Sequence, residues 1–290
     1  MPDSFYFSKK KNMNFDYAIH SDFLIHWTGK DIDVRDAKGN PIWCKTDKSQ
    51  TKPNEKQEYI KRLRDILKFG LWMTEEDGND FLKLLTISKT CFTELKLSES
   101  RKHAKSYGRL GIGVKRMFLF YRNGRPVVYY LGGRKKDDIF LNSCINNLQD
   151  KTLLNFFKPM NSFSKPLTYD LYAESEWRIL YFEDLLKKRL IIDPRDPQNK
   201  KEHNYFKNLT PSEQAKLKYL IPLDGWFAMI IYPSLDVKNE AQQDNSLGIR
   251  GEIERIKEIG KNESDIHDHA NRVEGGNWPI EMNLDACRNF

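Results

Sequence analysis

The run Val114-Lys115-Arg116-Met117-Phe118-Leu119-Phe120-Tyr121-Arg122-Asn123-Gly124-Arg125-Pro126-Val127-Val128-Tyr129-Tyr130-Leu131 decides how the chain is read. Two segments rich in β-branched and aromatic side chains flank Asn123-Gly124, a pair that takes the left-handed turn between antiparallel strands at little steric cost. The reading is a hairpin, Val114 to Tyr121 returning through Pro126 to Leu131, which makes at least part of the sheet antiparallel. Gly108, Gly111 and Gly113 lie just upstream and lead into a strand rather than a helix. They therefore match neither a P-loop nor a dinucleotide-binding turn, and a turn with a flat strand start is the plainer account.

Working outward, helical and strand signals alternate. Ser98 to Tyr107 reads as a short helix capped by Ser98, and Thr90 to Thr93 as a buried strand, with another short helix around Asp80 to Leu85. Tyr59, Ile60, Leu63, Ile66 and Leu67 recur at helical spacing with Lys61, Arg62, Arg64 and Lys68 on the other face, and Gly70 closes that helix. Phe23 to Trp27 reads as a strand ending in Thr28-Gly29-Lys30, followed by a polar loop from 31 to 57 in which the helix begins near Glu55. Downstream, 139 to 157 reads as helix, Pro159 to Pro166 as loop, Tyr172 to Phe182 as a long strand and Leu190 to Ile192 as a short one. Pro211 to Leu220 reads as a helix with a Thr210/Glu213 capping box, Trp226 to Tyr232 as a last buried strand and Gly251 to Ile259 as a helix. The expected architecture is α+β: a domain over 1–235 with a mixed or antiparallel central sheet and short flanking helices, then a helical and polar extension over 236–290.

Composition narrows the class. Of 290 residues, 39% are hydrophobic and 12% aromatic, which excludes a disordered chain; 31% are charged and the mean hydropathy is −0.70, which argues against an integral membrane protein. The longest apolar runs, such as Trp226 to Tyr232, fall far short of the ~20 residues of a membrane span, and no apolar segment follows Lys9-Lys10-Lys11, so the expectation is a cytoplasmic protein with no membrane partner. Cys44, Cys91, Cys144 and Cys287 are scattered and read as reduced thiols. His267 and His269, beside Asp265 and Asp268, lack a third ligand at a usable spacing, so no metal is expected. The net charge of +7 suits either a polyanion or simple solubility. Arg109, Lys115 and Arg116, with the lysines and arginines of the first helix, are the candidate nucleic-acid-binding residues.

Three places carry possible chemistry. In Tyr172-Ala173-Glu174-Ser175-Glu176-Trp177-Arg178, a strand would put Glu174, Glu176 and Arg178 on one face. Two carboxylates so close suit acid/base work or the holding of a hydroxyl, with Arg178 keeping Glu176 ionised; a solvated edge with an internal ion pair is the bland alternative. His26 and Thr28 end a short apolar strand, where the imidazole can hold a ligand hydroxyl or merely a backbone carbonyl. His103 and Tyr107 share a helix face, fit either for stacking on a planar ring or for core packing.

Cys91-Phe92-Thr93-Glu94-Leu95, His103, Tyr107-Gly108-Arg109-Leu110-Gly111-Ile112-Gly113, Gly124-Arg125-Pro126-Val127-Val128-Tyr129 and Glu174-Ser175-Glu176-Trp177-Arg178 together resemble the AbiGi family of bacterial abortive-infection proteins, over roughly residues 20 to 235. The resemblance implies anti-phage defence and the antitoxin half of a toxin-antitoxin pair, that is, a non-enzymatic protein binding a partner toxin. A remoter likeness is to DarT-like ADP-ribosyltransferases, which place a His-x-Thr segment on an early strand and a Glu on a later one. That likeness implies an ADP-ribosyltransferase-like fold and NAD as cofactor, with a nucleic acid or protein acceptor. His26 would then hold the nicotinamide ribose and Tyr107 would stack near the nicotinamide, with Thr28 and His103 also among the cofactor-binding residues. Glu176 would hydrogen-bond the ribose and stabilise the developing oxocarbenium ion, and Glu176 and Glu174 are the candidate catalytic residues.

Overall fold

The computed structural model describes residues 22–45, 51–75, 87–94, 97–130, 139–160, 171–243, 245–262 and 278–289. Its elements run in the order β1 (Phe23–Thr28), α1 (Pro53–Phe69), β2 (Leu71–Glu75), β3 (Ser88–Thr93), α2 (Ser100–Tyr107), β4 (Leu110–Lys115), α3 (Arg116–Tyr121), β5 (Arg125–Pro126), β6 (Val128–Tyr130), α4 (Ile139–Asn147) and β7 (Phe157–Pro159). There follow β8 (Glu176–Leu180), α5 (Glu183–Lys187), α6 (Lys200–Lys207), α7 (Pro211–Lys216), β9 (Leu217–Ile221), β10 (Phe227–Tyr232), α8 (Leu235–Gln243), α9 (Ile249–Asn262) and β11 (Ile280–Asn283).

Among the described residues the strands form a nine-stranded sheet in the order β11-β10-β4-β1-β3-β2-β9, with β8 on the far edge of β3 and β5 on β8. It is mixed, since β11 runs parallel to β10 while the other ladders are antiparallel. β1 and β2 share one edge of β3: β1 meets it at Ile25↔Thr93 and β2 at Thr74↔Lys89 and Glu75↔Ser88. The sheet thus forks at the middle of β3. There His26 Nδ1 reaches the carbonyl of Cys91 at 2.9 Å, a side-chain bond to the backbone of β3.

Each face has its own core. Leu24, Phe92, Ile112, Trp177 and Ile230 pack beneath α1, α8 and α9 through Leu63, Ile66, Val237 and Ile253. Ile25, Trp27, Met229 and Ile231 pack on the other face with Ala104 of α2, Met282, Leu284 and Cys287. Residues beyond 235 are therefore built into the same sheet and core. The α1 helix starts at Pro53, with Glu55 accepting from the Lys52 amide at 3.0 Å, and stops at Gly70, whose φ of +110° favours glycine.

The hairpin expected around Asn123-Gly124 does not form. The ladder of β4 ends at Lys115, Arg116–Tyr121 turns helical, and Asn123 and Gly124 cap that helix: Asn123 is left-handed (φ 54°), its amide bonds the Phe120 carbonyl and that of Gly124 the Leu119 carbonyl. This is a Schellman stop, which needs the same left-handed residue as a hairpin turn, so the dipeptide alone does not distinguish them. The returning segment divides, β5 pairing with β8 and β6 with β7 in a separate parallel pair.

Other expectations shift in a similar way. The long strand from Tyr172 is a 3₁₀ turn over Leu171–Glu174 followed by β8, with Ser175 left-handed (φ 44°) between them. The helix at 139–157 breaks after Asn147 into a 3₁₀ turn, Lys151–Phe156, begun by Asp150 accepting from the Thr152 amide. Thr210 and Glu213 do form the capping box, but α7 ends at Lys216 because Leu217–Ile221 is drawn into the ladder with β2. Ser98 does not cap α2, and Leu190 to Ile192 contributes only a bridge from Ile192 to Leu220. The helix expected at Asp80 to Leu85 and the His267/His269 pair lie outside the described residues. None of the described helices is long and apolar enough to cross a membrane.

Candidate functional site

Ladder register places the side chains. Ile25 stands opposite Thr93 and Thr93 opposite Glu176, so these three project from one face, the face that α2 covers. His26 and Thr28 alternate to the other face, where the His26 ring lies 5.8 Å from that of Phe92 and Thr28 Oγ1 accepts from Arg62 Nη1 at 3.1 Å. The two halves of the expected NAD constellation thus sit on opposite sides of the sheet. Burial pulls the His26 pKa down against the bond to Cys91, so the ring is neutral at pH 7 and Nδ1 donates to that carbonyl.

Glu174, Glu176, Tyr107 and His103 do come together, although Glu174 lies off the strand. The left-handed Ser175 reverses the chain between the glutamates, held by Thr93 Oγ1 donating to the Glu174 carbonyl and the Glu94 amide to the Ser175 carbonyl. Lys158 of β7 then bridges both carboxylates, Arg178 Nε donates to Glu176 Oε1 at 2.6 Å and Tyr107 Oη to Glu174 Oε1 at 2.6 Å. Arg178 is itself anchored on the Asn155 carbonyl, and the Glu176 amide donates to Tyr129 Oη at 2.9 Å. Both glutamates are buried, while Tyr107 is 37% exposed and forms the solvent side of the cluster. Burial opposes ionisation of Glu176, but Arg178 and Lys158 outweigh it and hold the carboxyl well below the usual range. Burial likewise disfavours the Lys158 ammonium, and the two carboxylates override it. Burial pushes Tyr129 up to about 12.

Lys158 has no local sequence signal. It follows a 3₁₀ turn that resembles helix in the sequence, and only the β6–β7 pairing carries it to the glutamates. Arg109, expected on a nucleic-acid surface, is 0% exposed: Nε meets Asp33 at 2.7 Å, Nη2 meets Glu55 at 3.0 Å and its amide donates to Tyr59 Oη at 3.2 Å. Lys115 stands at the opposite end of β4, about 20 Å away at strand rise, over the Phe23 ring at 4.4 Å. Arg116 is paired to Glu94 at 2.6 Å beside Trp177. These three therefore make no common basic surface. The four cysteines are free thiols, and no group of metal-ligating side chains occurs among the described residues. No family model, curated protein or solved structure matches the chain.

The cluster has a pH signature. Burial pulls His103, whose ring is 5.2 Å from Tyr107, down to about 4 against the attraction of Glu174. Unfolded, the imidazole titrates near 6.5, so between pH 6.5 and 4 the unfolded chain binds a proton that the folded one does not, and stability falls as pH drops through that window. We expect a loss on the order of 2–3 kcal/mol from this group, read by urea unfolding at stepped pH. His103→Phe should reduce the slope between pH 6.5 and 4.5 without abolishing it, because His26 contributes in the same direction. Below 4.5 the depressed Glu176 adds its own loss in either protein.

Proposed function

We propose that the chain is a phage-defence protein that binds NAD against the Glu174–Lys158–Glu176 cluster and transfers its ADP-ribosyl group to a nucleic acid or protein acceptor. The observation carrying this is Glu176, a buried carboxylate kept ionised by Arg178 and Lys158 beside an accessible tyrosine. The donor set fits. Glu176 Oε1 accepts from Arg178 and Oε2 from Lys158, and a carboxylate oxygen can accept more than one donor, so a ribose hydroxyl fits the chemistry of this group. Bound NAD would supply a ribosyl carbon whose bond to nicotinamide breaks with the electron pair leaving on nicotinamide, while a lone pair of an acceptor O–H or N–H forms the new bond and the acceptor's proton passes to water. Glu176 presents fixed negative charge to that electron-poor carbon, Lys158 and Arg178 hold the carboxylate in place, and the Tyr107 ring offers a stacking face at the entrance. His26 and Thr28 take no part in this version.

The test is nicotinamide release from labelled NAD, with and without DNA, RNA or cell lysate. Release that requires one of these additions identifies the acceptor class, and no release under any condition rejects the reading. A non-enzymatic antitoxin or sensor is the second reading, favoured by the same satisfied bonds: a clamp that ties β7, β8 and α2 together needs no substrate. Expression of the chain alone separates the two, since an antitoxin is harmless by itself and a transferase with an available acceptor is not.

A further inference from the structure

The outer face of α1 carries a row of cations. Lys61, Arg64 and Lys68 stand at i, i+3 and i+7, so they share one face of the helix, and all three are exposed. Other cations of the same helix are paired, Lys56 with Glu240 at 2.5 Å and Arg62 with Asp31 at 2.7 Å. Lys61, Arg64 and Lys68 form no ion pair among the described residues. Asp65, beside them, does not supply one: it accepts no hydrogen bond there, and burial raises its pKa against the pull of Arg64 and Lys61.

A fourth cation is brought to the row by α6. Phe69 stacks on Tyr205 at 4.1 Å with the rings 15° apart, and Trp72 Nε1 donates to Tyr205 Oη at 3.2 Å, which seats α6 against the end of α1. Lys201, also exposed, then donates from Nζ to the Lys68 carbonyl at 2.8 Å. The Lys68 and Lys201 ammonium groups lie 5.3 and 5.5 Å from the centre of the same Phe69 ring. Burial lowers the Lys201 pKa, and Arg255 and Lys68 add to that against Glu252 and Glu202. Glu252 is itself held by Arg255 at 2.7 Å. Like charges gathered on one surface repel one another, and an anion from outside the chain relieves that repulsion. Spacing selects the anion. From Lys61 to Lys68 the helix rises about 10 Å, and each strand of a duplex carries a phosphate about every 3.4 Å along its axis. A duplex laid along α1 therefore sets about three phosphates of one strand against these three side chains.

We propose that the outer face of α1, with Lys201 of α6, binds the phosphate backbone of a nucleic-acid duplex. The α1 helix covers the sheet face opposite the one that carries Glu176, so this surface holds nucleic acid apart from the glutamate cluster and does not rest on NAD binding. The test is fluorescence anisotropy of a short labelled DNA duplex, and of its RNA counterpart, titrated with the full chain at stepped salt. Four phosphate contacts should lower affinity about 100-fold between about 50 and 200 mM salt, a slope of about −3.6 in log K against log salt. Duplexes of unrelated sequence should bind alike, because backbone contacts carry no sequence information. Replacing Lys61, Arg64 and Lys68 together by Gln should flatten the slope by about three units, and Lys201→Gln or Arg64→Gln alone by about one. Urea unfolding of the triple variant should match the wild type, since all three side chains are exposed. A wild type that binds no duplex at about 50 mM salt, or binds with a slope near zero, overturns the proposal. So does a triple variant that keeps the wild-type slope. Polyglutamate that displaces the duplex at equal charge also overturns it, and assigns the surface to an acidic protein instead.

Discussion

Glu176→Gln is expected to lower nicotinamide release from NAD by about 100-fold or more per folded molecule, the scale set by removing one preorganised charge from a developing transition state. Fold and activity have to be measured together. The wild-type carboxylate is buried between Lys158 and Arg178, and neutralising it leaves two buried cations sharing what remains, so unfolding in urea should show a loss of about 3 kcal/mol. Glu174→Gln should cost less activity, since Glu174 holds Tyr107 and Lys158 while Glu176 keeps its bond to Arg178. If Glu176→Gln loses stability but releases nicotinamide as fast as the wild type, the cluster is a structural clamp and the antitoxin reading takes its place.

That coupling of charge to stability also explains which parts of the molecule were legible in the sequence. β1, β3, β10, α1 and α9 follow their apolar periodicity, and the ends of α1 were marked by Glu55 and Gly70, because propensity, pattern and cap agree locally. Arg116–Tyr121 was not legible: a short aromatic run fits strand and helix alike, and only its surroundings decide. Arg122 is buried beneath that helix, its guanidinium bonded to the carbonyls of Phe118, Leu190 and Pro222, and this anchors the helical turn from residues remote in sequence.

The candidate site divides along the same line. Glu174 and Glu176 stood out because their spacing is local, and the pairing of Glu176 with Arg178 followed from strand geometry. Lys158 was invisible because three strands and a left-handed Ser175 are needed to deliver it. His26 and Thr28 matched a family spacing, yet spacing does not say to which face a strand residue turns. That depends on register, which one residue of slip reverses.

Arg109→Met is the second large effect, on stability alone. Arg109 lies under the 31–45 segment, its guanidinium between Asp33 and Glu55, about 5.5 Å from the Trp43 ring and 5.4 Å from the Tyr59 ring. Trp43 Nε1 and Tyr59 Oη also converge on Asp33, so this cation joins the segment to both α1 and β4. Methionine fills much of the volume and leaves Asp33 and Glu55 buried without their shared cation, which should cost about 3–5 kcal/mol. For a chain of this size that lowers Tm by about 10 °C. Adding Asp33→Asn removes one stranded charge and should recover part of the loss, a coupling that a double-mutant cycle reads directly. Binding of DNA or RNA, if the chain binds either, should be unchanged by Arg109→Met at temperatures where it stays folded. A steep fall in that binding with no change in unfolding would instead return Arg109 to the surface, in contact with phosphate.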